Sequence, residues 1–493
     1  MYAVHSPNMK TGASPKPMAQ TPVARLGFTL LVALVVGSIL GSGIFGLPQN
    51  MANGAGAGAV LIGWGISGVG MLMLALVYQM LAVRRPKLDN GVYAYAQALA
   101  GDYVGFNSAW GYWVSAWIGN VGYLVAAFSA LGYFYPAFGE GNSGAAIVGA
   151  SVVLWVVHAL VLRGIHGASV LNGVITVAKV IPLLFFIILV AYAFRMETFL
   201  LDFWGATTLG PLLTQVKSTM LVTVWVFIGI EGASVYSSRA KLRQDVGRAT
   251  VAGFAICLVL LMAVSLLSMG ILSQPQLAAL KNPSMAPVLE TVVGSWGALL
   301  VYIGLIISVG GGFLAWTLLA AESLFTPAQG GVMPAWLTRQ NPHGVPANAL
   351  WLTNGMVQLF LVLTLVSNAS YLALISLSTA MILVPYLFSA AYGLSVAWRR
   401  DGAAPVSAAK SGRMEIPVAA LATLYCLWLL YAAGPKYLLL SALLYAPGAA
   451  LFFWARREQG RDAFTDTEKA ILGGLLLLAV VAIAMLANGS LSL

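Results

Sequence analysis

Two charged side chains lie in the middle of apolar stretches of this sequence, where a charge could do chemistry. Glu231, in "VFIGIEGASV", is the one member of the fifteen acidic residues that clearly lies mid-run, and Lys179 lies in "VITVAKVIPLL". A charge inside a membrane span is energetically expensive, so it indicates a functional role by default. For Glu231 the alternative is a protonated or hydrogen-bonded packing residue. Lys179 either supplies fixed positive charge, or snorkels, or is neutral.

Glycine clusters interrupt two of the apolar runs. The first cluster is "GSGIF", which contains Gly41 and Gly43, and the second is "IGIEG", which contains Gly229 and Gly232. Irregular backbone at membrane depth is tolerated only where it lines a cavity or is buried in protein. In transporters built from inverted repeats, half-helices at such breaks point their N-termini at a substrate carboxylate. One cluster alone could instead serve close helix packing, but two clusters five spans apart favour a pair of broken helices.

Aromatic residues with polar neighbours are concentrated in the same runs. The third run, "FNSAWGYWVSAWIGNVGYLV", contains Tyr112, Ser115 and Asn120, while Trp225 and Trp316 lie inside the sixth and eighth runs. An indole face attracts a cation by about 0.5–2 kcal/mol, which suits a guanidinium or ammonium group. For each tryptophan taken alone, packing inside the bundle is the alternative.

The composition defines the class of protein that positions these groups. The chain has 493 residues, of which 60% are hydrophobic and only 8% are charged, and its mean hydropathy is +0.88. Soluble proteins carry about 25% charged residues. Apolar runs of about 20 residues recur, and no alternating pattern suggests a barrel. The sequence therefore predicts an all-α polytopic membrane protein.

Several functional classes are disfavoured. The net charge of +10 comes from small clusters between apolar runs, which does not resemble a nucleic-acid-binding face. The four histidines are scattered, and Cys257 and Cys426 lie inside apolar runs, so we expect no metal site, no cofactor and no hydrolytic centre. There is no phosphate-binding loop of the GxxxxGK[ST] type for a primary pump. A membrane-embedded enzyme or an amino acid sensor remains the rival class.

Cuts at Gly, Pro and charge clusters give thirteen candidate spans after a disordered tail, residues 1–25. The spans are 26–47, 57–83, 103–135, 144–162, 168–194, 215–237, 249–273, 287–325, 346–366, 370–398, 416–433, 437–455 and 469–488. The connecting segments on one side of the membrane hold the Lys and Arg residues, with five exceptions among the 25: Arg195, Lys217, Lys281, Lys436 and the mid-span Lys179. The positive-inside rule then predicts a cytoplasmic N-terminus and an external C-terminus.

These motifs together resemble a known family. "VGSILGSGIFGLP", "DNGVYAYAQALAGDYVGFNSAWGYWVSAWIGN", "VWVFIGIEGASV", "AWTLLAAE" and "ILVPYLFS" are similar to the basic amino acid/polyamine antiporters of the amino acid–polyamine–organocation superfamily. The likeness is greatest to bacterial arginine/ornithine antiporters and covers about residues 25 to 490. It implies a bacterial inner-membrane exchanger with two five-helix inverted repeats, residues 26–194 and 215–398, and appended helices in 399–493. Dimers occur in the family.

The resemblance also implies roles for individual residues. Ser42 and Gly43 would bind the substrate carboxylate through backbone amides, and carbonyls of Ile39, Trp225 and Ile228 would accept the α-amino group. The guanidinium would stack on Trp225 and meet Ser115, Ala116 and Asn120. The aliphatic stem would lie against three residues, Trp316, Tyr123 and Ser378. A gating layer on the cytoplasmic side would comprise Tyr112, Glu231, Trp316 and Tyr386.

Some positions depart from the arginine/agmatine relatives. Ser38 replaces their Asn, Ala116 and Tyr123 replace their Cys and Met, and Lys179 replaces a small residue. We therefore expect arginine uptake against ornithine export. The alternatives are a lysine-specific carrier, an arginine/agmatine exchanger, and a proton-coupled symporter that uses Glu231 or Lys179.

Overall fold

The computed structural model describes residues 27–86, 88, 91–164, 169–207, 209–231, 243–367, 369–399 and 412–491. Every regular element in these ranges is helical and none is a strand, which confirms the predicted all-helical class. The predicted tail, residue Gly232 and residues 233–242 lie outside the described residues. The α-helices, in chain order, are α1 Phe28–Ile39, α2 Leu47–Ala52, α3 Ala57–Arg84, α4 Val92–Ala100, α5 Asp102–Gly132, α6 Gly144–Leu162, α7 Ser169–Ala193, α8 Met196–Leu200, α9 Leu212–Phe227, α10 Arg243–Ser268, α11 Gln274–Ala278, α12 Met285–Val293, α13 Ser295–Gln329, α14 Ala347–Ser367, α15 Tyr371–Arg399, α16 Gly412–Tyr445, α17 Gly448–Glu458 and α18 Asp466–Ala487.

Many of these helices are long enough to cross a membrane. In the part of the chain that the structure describes, nine helices have the required length and apolarity, or ten if a bent pair at the start counts as one span. Two shorter apolar helices, Lys179–Ala193 and Leu212–Phe227, add to them. The protein is thus a multi-pass membrane protein, while the number of thirteen crossings and the inverted repeat stay predictions.

The centre of the bundle is formed by α5 and α15. In the most apolar part of α5, 83% of the residues are buried, and in that of α15 the share is 72%, against 11% in α18. Helix α5 packs against α13, α14 and α15. Because lipid tails are as apolar as leucine, such packing depends on close contact and interhelical hydrogen bonds. The polar and aromatic residues of α5 are therefore held inside protein, away from lipid.

Two glycines with positive φ change the direction of the chain, one inside a predicted span and one at a predicted boundary. The predicted run 287–325 is divided between α12 and α13 at Gly294, whose φ is 84°. Inside α16, Gly434 has a φ of 74° and kinks the chain between two predicted spans, 416–433 and 437–455. Glycine adopts a positive φ at little energetic cost. The helix axis therefore changes direction at each of these glycines.

Candidate functional site

The first apolar run is broken where its glycines lie. Helix α1 ends at Ile39, Gly41 is extended with φ −98° and ψ −163°, and a 3₁₀-helix from Ser42 to Gly46 leads into α2. The axis bends by 48° across this break. Carbonyls at the end of α1 and amides at the start of the 3₁₀-helix thereby lose their regular partners.

Lys179 forms hydrogen bonds with two of the backbone carbonyl groups at the end of α1. Its Nζ donates hydrogen bonds of 2.7 Å to the carbonyl oxygens of Gly37 and Leu40. Charge-assisted hydrogen bonds of this length are among the strong ones in proteins. The lysine of α7 thus connects α7 to the end of α1.

The second break follows Trp225 on α9. Helix α9 ends at Phe227, Ile228 has an extended ψ of 130°, and Gly229 has a φ of 107°. A Cβ atom placed on Gly229 would lie only 2.9 Å from the carbonyl oxygen of Ser38, which belongs to α1. Glycine is required at this position both by its φ and by the close approach, and the two breaks lie in direct contact.

The indole of Trp225 lies along the gap between the breaks and α5. Its Nε1 lies 2.6 Å from the position of a Cβ atom on Gly43. At its other end, Cη2 and Cζ3 lie 3.1 and 3.4 Å from the corresponding position on Gly119 of α5. The ring therefore connects the first broken helix to the centre of the bundle.

A cavity lies beside this indole. All predicted binding residues except Ser42 and Asn120 line it, and those that line it are Ile39, Gly43, Ser115, Ala116, Tyr123, Trp225, Ile228, Trp316 and Ser378. Four further residues that were not predicted to bind substrate also line it: Ser38, Gly41, Gly119 and Val226. Gly41 belongs to the predicted break and Ser38 to the positions that differ from the relatives, whereas Gly119 and Val226 carry no side-chain chemistry that a sequence pattern would indicate.

The two remaining predicted binding residues are buried at the border of the cavity. Asn120 donates from Nδ2 to Oγ1 of Thr317 at 3.2 Å, while its Oδ1 has no hydrogen-bond partner among the described residues. The Oγ of Ser42 is likewise buried without a partner there. On α15, Ser378 donates to the carbonyl of Ser115 at 2.7 Å. Unpaired polar atoms in protein interiors are costly, so these two are free to serve a ligand.

Glu231 is held by hydroxyl groups of α5 and α15. Its Oε1 accepts from Tyr112 and its Oε2 from Tyr386, each at 2.8 Å. The amide of Gly229 also donates to Oε2 at 3.1 Å. The ring of Trp316 lies beside Tyr112, with centroids 6.5 Å apart. The four predicted gating residues are therefore brought together in one layer that joins α5, α13, α15 and the second break.

Tyr371, which no sequence motif singled out, packs beside the first break. It is the first residue of α15, and its ring lies 3.2 Å from the position of a Cβ atom on Gly46. Beside it, Asn282 donates to Oε1 of Gln49 and Oδ1 of Asn50, both at 2.9 Å. A tyrosine at the start of a span carries no distinctive sequence signal, because aromatic residues are common at membrane interfaces.

Other chemistry lacks support in this region. Among the described residues, no group of three His, Cys, Asp or Glu side chains could hold a metal ion. Cys257 and Cys426 are buried and unpaired. The arrangement of released backbone groups, an indole and buried hydroxyls is suited to binding a small zwitterionic or cationic molecule.

Comparison with known proteins gives a consistent assignment. The family model described as "Amino acid permease" matches residues 26–436. The chain is 54% identical to an arginine/ornithine antiporter of Pseudomonas aeruginosa, with 97% of this chain and 100% of the relative covered. It is 44% identical to an L-lysine transport protein of Corynebacterium glutamicum, covering 94% and 95%. It is 41% identical to an arginine/agmatine antiporter of Chlamydia pneumoniae, covering 94% and 97%.

Proposed function

Because this chain belongs to the amino acid permease family, we propose that it is a secondary transporter that exchanges cationic amino acids, taking up arginine against ornithine export. The observation that carries the proposal is the position of Trp225, whose N–H end lies against Gly43 and whose ring edge lies against Gly119. This indole offers a π-face for a cation and lies between a released helix terminus and α5. The relatives named as antiporters of arginine support the same substrate class.

In the proposed binding mode, the substrate lies along Trp225. The carboxylate is bound at the amides of Ser42 and Gly43, and the α-amino group at carbonyls of Ile39, Trp225 and Ile228. Lys179 already engages the carbonyls of Gly37 and Leu40, which leaves that of Ile39 for the substrate. Helix termini favour this distribution of charge, because N-termini attract anions.

The distal cation is proposed to stack on the ring of Trp225. Ser115, Ala116 and Asn120 would surround it, and the free Oδ1 of Asn120 supplies an acceptor for a guanidinium or ammonium hydrogen. The aliphatic stem would lie against three other residues, Trp316, Tyr123 and Ser378, all of which line the cavity.

Lys179 is proposed to act as a fixed positive charge that holds the first break in shape. Its two hydrogen bonds favour this role over snorkelling, because a snorkelling amine reaches for the membrane surface.

The Glu231 layer is proposed as the inner gate. Opening would require the carboxylate to exchange the hydroxyls of Tyr112 and Tyr386 for other partners.

Transport is proposed to occur by alternating access, in which one group of helices rocks against another around the central site. The moving parts would come from two inverted repeats, residues 26–194 and 215–398, with residues 399–493 appended. We place the protein in the bacterial inner membrane with a cytoplasmic N-terminus and an external C-terminus, and with a homodimer as its expected assembly. Exchange of arginine for ornithine moves one positive charge each way, so it needs no ion gradient.

Counterflow in proteoliposomes tests this function. Uptake of labelled arginine should require a cationic amino acid inside the vesicle, and internal ornithine should be effective. Equal uptake into empty vesicles would exclude obligatory exchange, and a strong effect of an imposed pH gradient would favour the proton-coupled alternative. A competition panel of ornithine, lysine and agmatine separates the three exchange alternatives. A purified protein that binds arginine without moving it would instead indicate a sensor.

A further inference from the structure

Tyr371 lies between the 3₁₀-helix after the first break and the central helix α5. One edge of its ring, Cε1, is 3.2 Å from the position of a Cβ atom on Gly46, and the other edge, Cε2, is 3.8 Å from that position on Gly122. Only 7% of the residue is exposed. The ring is thus fixed by packing on two sides, and its hydroxyl has a defined direction.

Three buried polar groups meet at this hydroxyl without satisfying one another. The Tyr371 hydroxyl is close enough to the hydroxyl of Ser42 and to the indole N–H of Trp225 to interact with each, but neither contact has the distance and angles of a hydrogen bond. None of the three groups has a hydrogen-bond partner in the described part of the chain, although Ser42 is 3% and Trp225 is 8% exposed. Buried polar side chains in folded proteins are nearly always paired, so three adjacent exceptions call for a common ligand.

The chemistry of the three groups selects the kind of ligand. The indole N–H can only donate, and each hydroxyl can donate. A carboxylate accepts on two oxygens with about four lone pairs, so it can receive all three hydrogens at once. Hydrogen bonds to such a charged acceptor are about twice as strong as neutral ones. An amino group could not serve the indole, because both groups would be donors.

We propose that Tyr371 is a substrate-positioning residue that donates its hydroxyl to the α-carboxylate of the transported amino acid, beside Ser42 and Trp225. The inference rests on the proposed function and adds a selectivity to it. A basic amino acid keeps all three donors paired, whereas the amine formed by its decarboxylation leaves them unpaired. Tyr371 therefore discriminates amino acids from their decarboxylated amines, although it does not touch the distal cation.

The test compares ligands that share a guanidinium and differ at the carboxylate. Calorimetry on the purified full-length protein measures the binding of L-arginine, with agmatine and L-argininamide as carboxylate-free probes. The variant Tyr371→Phe keeps the ring and removes the hydroxyl. It should lower arginine affinity by about 10- to 100-fold, the range for a lost hydrogen bond to a charged group. The affinities of the two probes should stay within about twofold of the wild type.

Tyr103→Phe is the matched control. The Tyr103 hydroxyl is also buried without a partner in the described residues, but its ring packs against Phe452 and Phe464, away from the cavity. This variant should leave all three affinities unchanged.

Two results would overturn the role of Tyr371 alone. One is an unchanged arginine affinity in Tyr371→Phe, and the other is an equal loss for arginine and for the probes, since that would indicate general damage to the site. A wild-type protein that neither binds nor exchanges any cationic amino acid would overturn the proposed function, and this inference with it.

Discussion

Substitution of Gly43 by alanine should selectively disable the binding site. A Cβ atom on Gly43 would lie 2.6 Å from Nε1 and 2.7 Å from Cδ1 of Trp225. Ordinary contact between such atoms requires about 3.5–4 Å, so the indole or the 3₁₀-helix must shift by about 1 Å. The backbone itself accepts alanine here, because Gly43 is not among the residues with positive φ. The strain therefore falls on Trp225 and on its neighbour Val226, whose Cγ1 lies 3.0 Å from the same Cβ position.

The size of the effect follows from the cost of overpacking. Inserting one methyl group into a well-packed interior costs about 1–3 kcal/mol. If the site relieves this strain by displacing the indole, arginine affinity should fall by about 5- to 150-fold, at 1.4 kcal/mol for each factor of ten. The nearest atoms to the new methyl group all belong to Trp225 and Val226, so the purified variant should remain folded.

The assay is arginine binding by calorimetry, together with the thermal unfolding midpoint of the detergent-solubilised protein. Gly65→Ala and Gly310→Ala are matched controls, since a Cβ atom at either position meets nothing within 4 Å. Both should bind arginine as the wild type does. If Gly43→Ala binds and exchanges arginine normally, the close approach of Trp225 to the first break does not define the site.

Three further substitutions test separate parts of the account. Trp225→Leu keeps apolar volume but removes the π-face, so arginine affinity should fall by at least the factor of about 2 to 30 that corresponds to 0.5–2 kcal/mol; unchanged binding by calorimetry would refute the stacking. Glu231→Gln keeps the shape of the side chain but weakens its bonds to Tyr112 and Tyr386, so the exchange rate or its dependence on pH should change more than affinity. Wild-type exchange from pH 5 to 8 would remove Glu231 from the mechanism. Lys179→Met deletes two charge-assisted hydrogen bonds worth about 1.5–3 kcal/mol each, so both the unfolding midpoint and the exchange rate should drop; a variant unchanged in both would show that the amine does not hold the first break.

The sequence predicted those features of the fold that depend on local pattern. The apolar runs predicted helices because a backbone in lipid must satisfy its own hydrogen bonds. The glycines of "GSGIF" and "IGIEG" predicted interruptions because irregular backbone in a membrane needs residues without a Cβ barrier, and the structure breaks α1 and ends α9 at these places. The partition at Gly294 was missed, because a single glycine inside a long apolar run is compatible with a continuous helix.

Contacts between side chains that are far apart in the sequence could not be predicted from local patterns. Residues 37 and 40 receive the amine of Lys179 across 139 or more positions of chain, and no local pattern specifies such a pairing. The residue pattern singled out Trp225 and Glu231, and the resemblance to known antiporters added Ser378 and Tyr386, but neither indicated Tyr371. That tyrosine becomes significant only when its hydroxyl is seen beside two other unpaired groups.

The most direct test of the account is counterflow of the wild-type protein in liposomes. Vesicles loaded with ornithine, with glutamate or with buffer alone are placed in labelled L-arginine without an ion gradient. The account predicts rapid accumulation of label only in the vesicles that contain ornithine, with a matching release of ornithine. Accumulation at the same rate in vesicles that contain only buffer would contradict exchange of cationic amino acids.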